Sequence, residues 1–331
     1  AVGLILPGRV WSALRLPDLR PVAGVGLAML LSVMVVANGH VAESGGAVSG
    51  LPFGATYFAL RPFLQPFILL WALVASGAVD FAMGSNNDYA LELARVGAGV
   101  KAVMAGFQKM PQILMTHPGN GIETLADMKG KPILISSGSI NTFWVWLKAK
   151  YGFEDSQIRK YTFNMAPFIA NKDTIQQGYL SSEPYLVEQK AGIKPKVFLL
   201  ADYGYATYGS LTLVPDKWIK EKPKAVQGFV NASIEGWYSY LHGDPTPGNK
   251  LIQKDNPEMS DDKIANAIKV MKASGIVESG DTEKLGIGAM TDARWKDHYE
   301  TAVAQGRYPK DLKLSDAYTL EFVNKGHGAK M

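Results

Sequence analysis

At 331 residues, 47% hydrophobic and 19% charged, the chain is long enough for two ordinary folded domains and too apolar for disorder. A net charge of +4, with its basic residues scattered, excludes a surface that tracks a nucleic-acid phosphate backbone. The lack of cysteine excludes thiol catalysis, disulfides and thiolate zinc sites, and suits an oxidising compartment.

The first quarter is anomalous. Between Pro21 and Val79 the only charged side chains are Glu43 and Arg61, where a folded domain carries about a quarter of its residues charged. An apolar run over 22–37 follows Arg9, Arg15, Asp18 and Arg20 and ends in small residues at 38–42. That layout predicts a secretory signal, in preference to a buried helix or a membrane anchor formed by the same run. A second apolar run, 63–79, holds Gln65 and Pro66; it is short for a membrane span and fits a buried helix that starts the first lobe. The same low-charge texture is what a shifted reading frame produces in a GC-rich gene, so residues 1–75 are assigned no function.

From Ser76 onward apolar strand-like runs alternate with amphipathic helices, which predicts an α/β fold. Strands are expected over 78–83, 100–107, 112–116, 132–136, 158–163 and 196–200. Helices are expected over 89–96, 122–130, 142–151 and 168–178, with another after Pro184. Beyond Tyr208 the chain reads as mainly helical, over 223–240, 260–274, 292–305 and 315–324, with Ser260 capping one helix ahead of Asp261 and Asp262. Two crossings, near Thr116 and Tyr208, make lobe 1 of residues 76–116 and 208–331 and an inserted lobe 2 of residues 117–207. A cleft between such lobes closes on a ligand by hinge motion.

Two strand-to-helix junctions carry the candidate chemistry. In 133–141 a buried strand runs into Ser136, Ser137, Gly138 and Ser139, leaving backbone N–H groups free for an anion or a polar ligand edge, or for ordinary capping. The Gly-Lys-Ser/Thr ending of a nucleotide phosphate loop is missing. Ser85, Asn86 and Asn87 form the second junction, whose amides offer donors and acceptors to a neutral ligand or simply make a turn. Aromatic side chains crowd these regions: Phe107, Phe143, Trp144, Trp146, Phe163, Phe168, Tyr203, Tyr205 and Tyr208. Phe143 and Trp146 have core spacing, whereas Phe107, Trp144, Tyr203 and Tyr205 are candidate ring contacts for a flat ligand. Glu183, before Pro184, is either a partner for a ligand amine or a first-turn helix acid. His40, His117, His242, His298 and His327 show no paired spacing, so no metal and no cofactor is expected. No nucleophile stands beside a base in any recognisable motif, which argues against an enzyme.

Residues 76–84, the strand 112–115, the helix-to-strand step 125–131, the loop 177–184 with its Ser-Glu-Pro, and 198–203 follow one another in a familiar order. Together they resemble the substrate-binding proteins of nitrate/sulfonate/taurine-type ABC importers, in the branch related to thiamine-pyrimidine-precursor binding proteins. The resemblance covers about three quarters of the chain. It implies a type II periplasmic-binding-protein fold, two α/β lobes joined by two crossovers with a cleft between them. It also implies Ser85 and Asn86 as first-lobe contacts, Ser137, Gly138 and Ser139 as the middle-lobe helix start, and Glu183 as partner of a ligand amine. The strand, helix and second strand that open family members are not found before Ser76.

The expected protein is a monomeric solute-binding protein, periplasmic or tethered by lipid or membrane anchor to the outer face of the inner membrane, that delivers a small molecule, a pyrimidine or similar amino-heterocycle, to an ABC permease. The alternatives are an enzyme related to the fungal pyrimidine synthases, whose cysteine-rich motif this chain lacks, and a membrane-anchored ligand-sensing domain.

Overall fold

The computed structural model describes residues 79–328. The expected signal at 22–42 and nearly all of the 63–79 run lie outside them. Among the described residues, no helix is long and apolar enough to cross a membrane.

Two sheets organise the chain. The first is antiparallel, with β8 (Gly209–Pro215) between β1 (Ala82–Asn86) and β2 (Val100–Phe107). β2 is buried along almost its whole length because helices cover the sheet. One is α1 (Asn87–Arg95), which follows β1 directly. Another is α6 (Pro223–His242), which starts on a proline and turns Val226, Val230, Ile234 and Leu241 inward. Between them in the sequence lie the elements of the second lobe and α5 (Asp216–Glu221). Trp295 of α10 (Asp292–Ala304) completes this core, its ring stacked on Tyr318 at 4.5 Å. α7 (Thr246–Asp255), α8 (Asp261–Ala273) and the short α9 (Thr282–Leu285) fill the interval, and Ser260 Oγ accepts the Lys263 amide to cap α8.

The second sheet is mixed, in the order β5-β4-β6-β3-β7. Its strands are β3 (Gln112–Thr116), β4 (Ile133–Ile135), β5 (Ile158–Lys160), β6 (Ile175–Tyr179) and β7 (Lys196–Leu199). β4 runs parallel to β5 and β6, and β3 antiparallel to β6 and β7. Two apolar layers cover its faces. One gathers Phe143, Trp144 and Trp146 of α2 (Phe143–Tyr151). The other gathers Phe168 of α3 (Ala166–Ala170) and Val187 of α4 (Glu183–Ala191).

The backbone departs from the sequence expectations at several places. β3 belongs to the second sheet, so the first crossing falls between Phe107 and Gln112, not at Thr116. The first strand, expected over 78–83, instead runs over Ala82–Asn86, because Asn86 pairs with Gly209. The expected helix over 168–178 stops at Ala170 and the chain becomes β6, since pairing with β3 on one side and β4 on the other outweighs local helix preference. β8 was not expected; its burial alternates through Gly209, Leu211 and Leu213. The helix expected over 315–324 is a single turn, Leu314–Asp316, because the Ala317 carbonyl and the Thr319 amide bond to Ala102 of β2 instead. The helix expected over 122–130 is likewise one turn, Leu125–Met128. The strand expected to reach Phe163 ends at Lys160.

Candidate ligand-binding cleft

Asn86 has extended backbone at the end of β1, and its side-chain Oδ1 accepts the Asp88 amide at 3.1 Å, capping α1. Its Nδ2 donates to the Tyr205 hydroxyl at 3.2 Å. Tyr205 is packed among the aromatic side chains of the second lobe, so this bond spans the two lobes. Burial first, and then the Asp88 charge, pushes the Tyr205 phenol well above its ordinary range and keeps it neutral.

Behind the cap, Asp88 is buried. Its Oδ1 meets Arg307 Nη2 at 2.5 Å and His298 Nε2 at 3.0 Å. Burial pushes the carboxyl up, but Arg307 and His298 together outweigh it and hold Asp88 well below the ordinary carboxylate range. Arg307 also donates to the Asn141 carbonyl at 3.4 Å, just ahead of α2 in the other lobe.

The opposite wall starts at the end of β4. The Ser136 amide donates to Gln177 Oε1 at 2.7 Å, and Gln177 Nε2 returns a bond to Ser136 Oγ at 3.0 Å. Ser136 Oγ and Ser139 Oγ are 3.0 Å apart across the turn Ser137–Ser139 that leads into α2. As the first two residues of that turn, Ser137 and Gly138 present amides that the turn itself does not use. Gln112 Nε2 donates to the Gly178 carbonyl at 3.0 Å.

Glu183 opens α4 with Pro184 behind it. Its Oε2 accepts the Tyr179 amide at 2.8 Å and its Oε1 accepts the Tyr161 hydroxyl at 3.2 Å. Burial first, and then the Glu183 charge, pushes the Tyr161 phenol above its usual range. The side chain reaches this position because residue 178 is glycine: a Cβ there would come within 2.8 Å of Glu183 Cβ. Glu183 is only 9% exposed, and among the described residues no Lys or Arg forms an ion pair with it.

These groups surround a cavity of about 200 Å³. Of the residues expected at a site, Ser85, Asn86, Ser136, Gly138, Ser139, Glu183 and Tyr205 line it. Phe107 lies in an adjoining compartment. Asn87 is fully buried and ties α1 to the returning crossing, its amide donating to Thr207 Oγ1 and its Oδ1 accepting the Tyr208 amide. Trp144 is fully buried in the core and donates from Nε1 to Asp155. Ser137 is exposed outside the lining. Tyr203 packs against Phe198, away from the cavity.

The lining also includes Tyr89, Met110, Gln112, Thr142, Phe143, Phe163, Gln177 and Tyr179. Gln112 and Gln177 lie in runs that read as an ordinary strand and an ordinary helix, so nothing in the sequence marks them as lining residues. Phe163 is 75% exposed with φ of +61°, a conformation bulky side chains rarely take. Glu183 is the one charged side chain among the described lining residues. The described residues hold no cluster of three or more metal-ligating side chains.

Several solved structures share the fold. The alkanesulfonate-binding protein SsuA from Xanthomonas axonopodis pv. citri, bound to MOPS, is 15% identical with a TM-score of 0.52, covering 76% of this chain and 84% of its own. The periplasmic aliphatic sulphonate binding protein SsuA from Escherichia coli is 14% identical with a TM-score of 0.54, covering 75% and 78%. The ligand binding component of an ABC-type import system from Staphylococcus aureus, with zinc bound, is 14% identical with a TM-score of 0.53, covering 78% and 84%. At that identity the likeness establishes the architecture: the periplasmic-binding-protein fold, two α/β lobes with two crossings between them. No curated protein matches the chain. The NMT1/THI5 like family model matches residues 70–246, more than half of the sequence. The chain therefore belongs to the NMT1/THI5-like family.

Proposed function

We propose that this chain is the solute-binding component of an ABC importer, and that its cleft takes a small, flat heterocycle bearing an amino group. The observation that carries the reading is Glu183: a buried carboxylate, oriented by two protein donors, on the wall of a cavity with no cation beside it among the described residues. A buried carboxylate is stabilised by hydrogen-bond donors, and a ligand amino group supplies more of them with charge assistance. Phe143, Phe163, Tyr179 and Tyr205 provide ring faces and edges for a planar ligand. Ser139, Gln112 and Gln177 offer both donors and acceptors to its ring nitrogens.

Binding rather than turnover is favoured because the described lining holds no His, Lys or Cys to activate Ser136 or Ser139. Ligand contacts to both lobes would stabilise a closed form that a permease reads, and the periplasm is the compartment for that role.

One observation favours a second reading, an alkanesulfonate. The amides of Ser137 and Gly138 make a turn of the sort that accepts an anion, and two structurally similar proteins are named for sulfonates. Glu183 opposes it, since a sulfonate in this cavity would face a carboxylate with no intervening cation among the described residues.

Thermal melting with 4-aminopyrimidine, ethanesulfonate, nitrate and bicarbonate separates the readings, because a ligand that binds the folded state raises the melting temperature. The amino-heterocycle is expected to shift it. No shift by any member of the panel would overturn the transport reading.

A further inference from the structure

The cleft continues past Tyr179. Ser85, Tyr89, Met110 and Tyr179 belong both to the cavity around Glu183 and to a second compartment of about 310 Å³. Its other walls are Met83, Gly84, Phe107 and Ser210. The chemistry changes across the shared wall. The first compartment has a carboxylate and three carboxamides, those of Asn86, Gln112 and Gln177, whereas the second has two thioethers and aromatic rings, with only side-chain hydroxyls for polarity.

This compartment is built into the first sheet. A Cβ at Gly209 of β8 would approach Met110 Sδ to 3.0 Å and Phe107 Cβ to 3.3 Å. Phe107 and Met110 therefore lie close over the strand because residue 209 has no side chain. Phe107 is braced edge-on by Trp237, with ring centroids 5.8 Å apart. Met83 stands on β1 73% exposed, and Ser210 Oγ lies 3.3 Å from its sulfur. Methionine is an adaptable, polarisable contact for an apolar or aromatic group, and rings with thioethers on a rigid sheet make a specific apolar subsite.

We infer that the natural ligand has two parts: an amino-bearing heterocyclic head held at Glu183, and an apolar arm, aromatic or aliphatic, that passes Ser85 and Tyr179 to rest on Phe107, Met110 and Met83. The position of the head rests on the function proposed above; the arm subsite rests on the second compartment alone. An unsubstituted head leaves that compartment to water, so the arm sets selectivity among heads of the same chemistry.

The test uses calorimetric titration of the purified chain with 4-aminopyrimidine, 4-amino-5-benzylpyrimidine and benzyl alcohol. The benzyl group should tighten binding at least tenfold over the bare head. Phe107→Ala should remove that gain while leaving 4-aminopyrimidine binding within twofold, which also reports that the variant is folded. Met83→Ser changes an exposed side chain and should cut the gain at least threefold. A benzyl compound that binds no tighter than the head, or a gain that survives both substitutions, overturns the two-part ligand and leaves the Glu183 reading intact. If neither pyrimidine binds but benzyl alcohol does, and Phe107→Ala abolishes it, the apolar subsite stands and the amino-heterocycle reading falls. If none of the three binds, both fall.

Discussion

Asn86 Nδ2 and the Tyr205 hydroxyl meet at 3.2 Å across the two lobes, while the same asparagine caps α1 through its Oδ1. One side chain thus fixes a helix start in the first lobe and finds its second partner in the other. Tyr205→Phe keeps the ring against Phe143 and Trp146 but leaves the Asn86 amide without its acceptor. Leaving a buried donor unpaired costs about 1–3 kcal/mol, and urea unfolding should show a loss in that range. A loss below about 0.5 kcal/mol would mean that water replaces the phenol and that the lobes are not joined there.

Asp88, Arg307 and His298 make the charged centre beneath that contact. Asp88 has its folded pKa depressed, by Arg307 and His298 against the opposing effect of burial. Its contribution is therefore present above the unfolded value of about 3.9 and lost as pH falls below it. The wild-type chain should lose stability progressively below about pH 4, and Asp88→Asn should flatten part of that slope. Asp88→Ala leaves the Arg307 guanidinium buried and unpaired and should cost about 3–5 kcal/mol at neutral pH. Both follow from denaturant midpoints measured across pH.

Gly178→Ala tests how Glu183 is seated. The added methyl carbon would sit 2.8 Å from Glu183 Cβ, so the start of α4 must move. Overpacking of this kind costs about 1–3 kcal/mol. The same substitution should weaken ligand binding, since the carboxylate no longer reaches the Tyr179 amide. Stability unchanged within about 0.5 kcal/mol would show that the α4 start yields freely.

Much of the fold was legible because its signals are local. The runs 100–107 and 112–116 are apolar enough to be strands wherever they pair, and Pro223 with a helical apolar stripe marks α6. β6 and β8 depend instead on partners far away in sequence. Gln176 and Gln177 have no strand preference of their own, yet they are buried between β3 and β4. Gly209 and Ser210 look like a turn until β1 and β2 close on either side. The site follows the same division. The junctions at Asn86 and at Ser136–Ser139 could be picked out as strand ends, and Glu183 by its place before a proline. Phe163 does not stand out from the neighbouring aromatic residues, since its place on the cavity wall depends on a left-handed backbone that its sequence does not favour. Trp144 and Phe107 look alike in sequence, and only packing sends one to the core and the other to the cleft rim.

Phe163 gives a prediction in which stability and binding part company. Its φ of +61° carries a strain of about 1–2 kcal/mol for a non-glycine residue. Phe163→Gly relieves that strain, offset by about 0.5–1 kcal/mol of added unfolded-state entropy and by about 0.5–1.5 kcal/mol for the lost ring contact with Tyr161. Stability should stay within about 0.5 kcal/mol of wild type. Ligand affinity, measured on the same preparation, should drop severalfold because a wall of the cavity is gone. Stability lost with affinity kept would assign the ring to packing alone.

The most direct measurement is calorimetric titration of the wild type and of Glu183→Gln with 4-aminopyrimidine and with ethanesulfonate. Removing the charge from a buried, charge-assisted hydrogen bond should weaken the amino-heterocycle roughly 10- to 100-fold. Ethanesulfonate should bind the wild type more weakly than the amine does. The contradicting result is a sulfonate that binds the wild type tightly and Glu183→Gln tighter still, with 4-aminopyrimidine indifferent to the change. That outcome would move the ligand's charge to the Ser137–Ser139 turn and make Glu183 a first-turn helix acid.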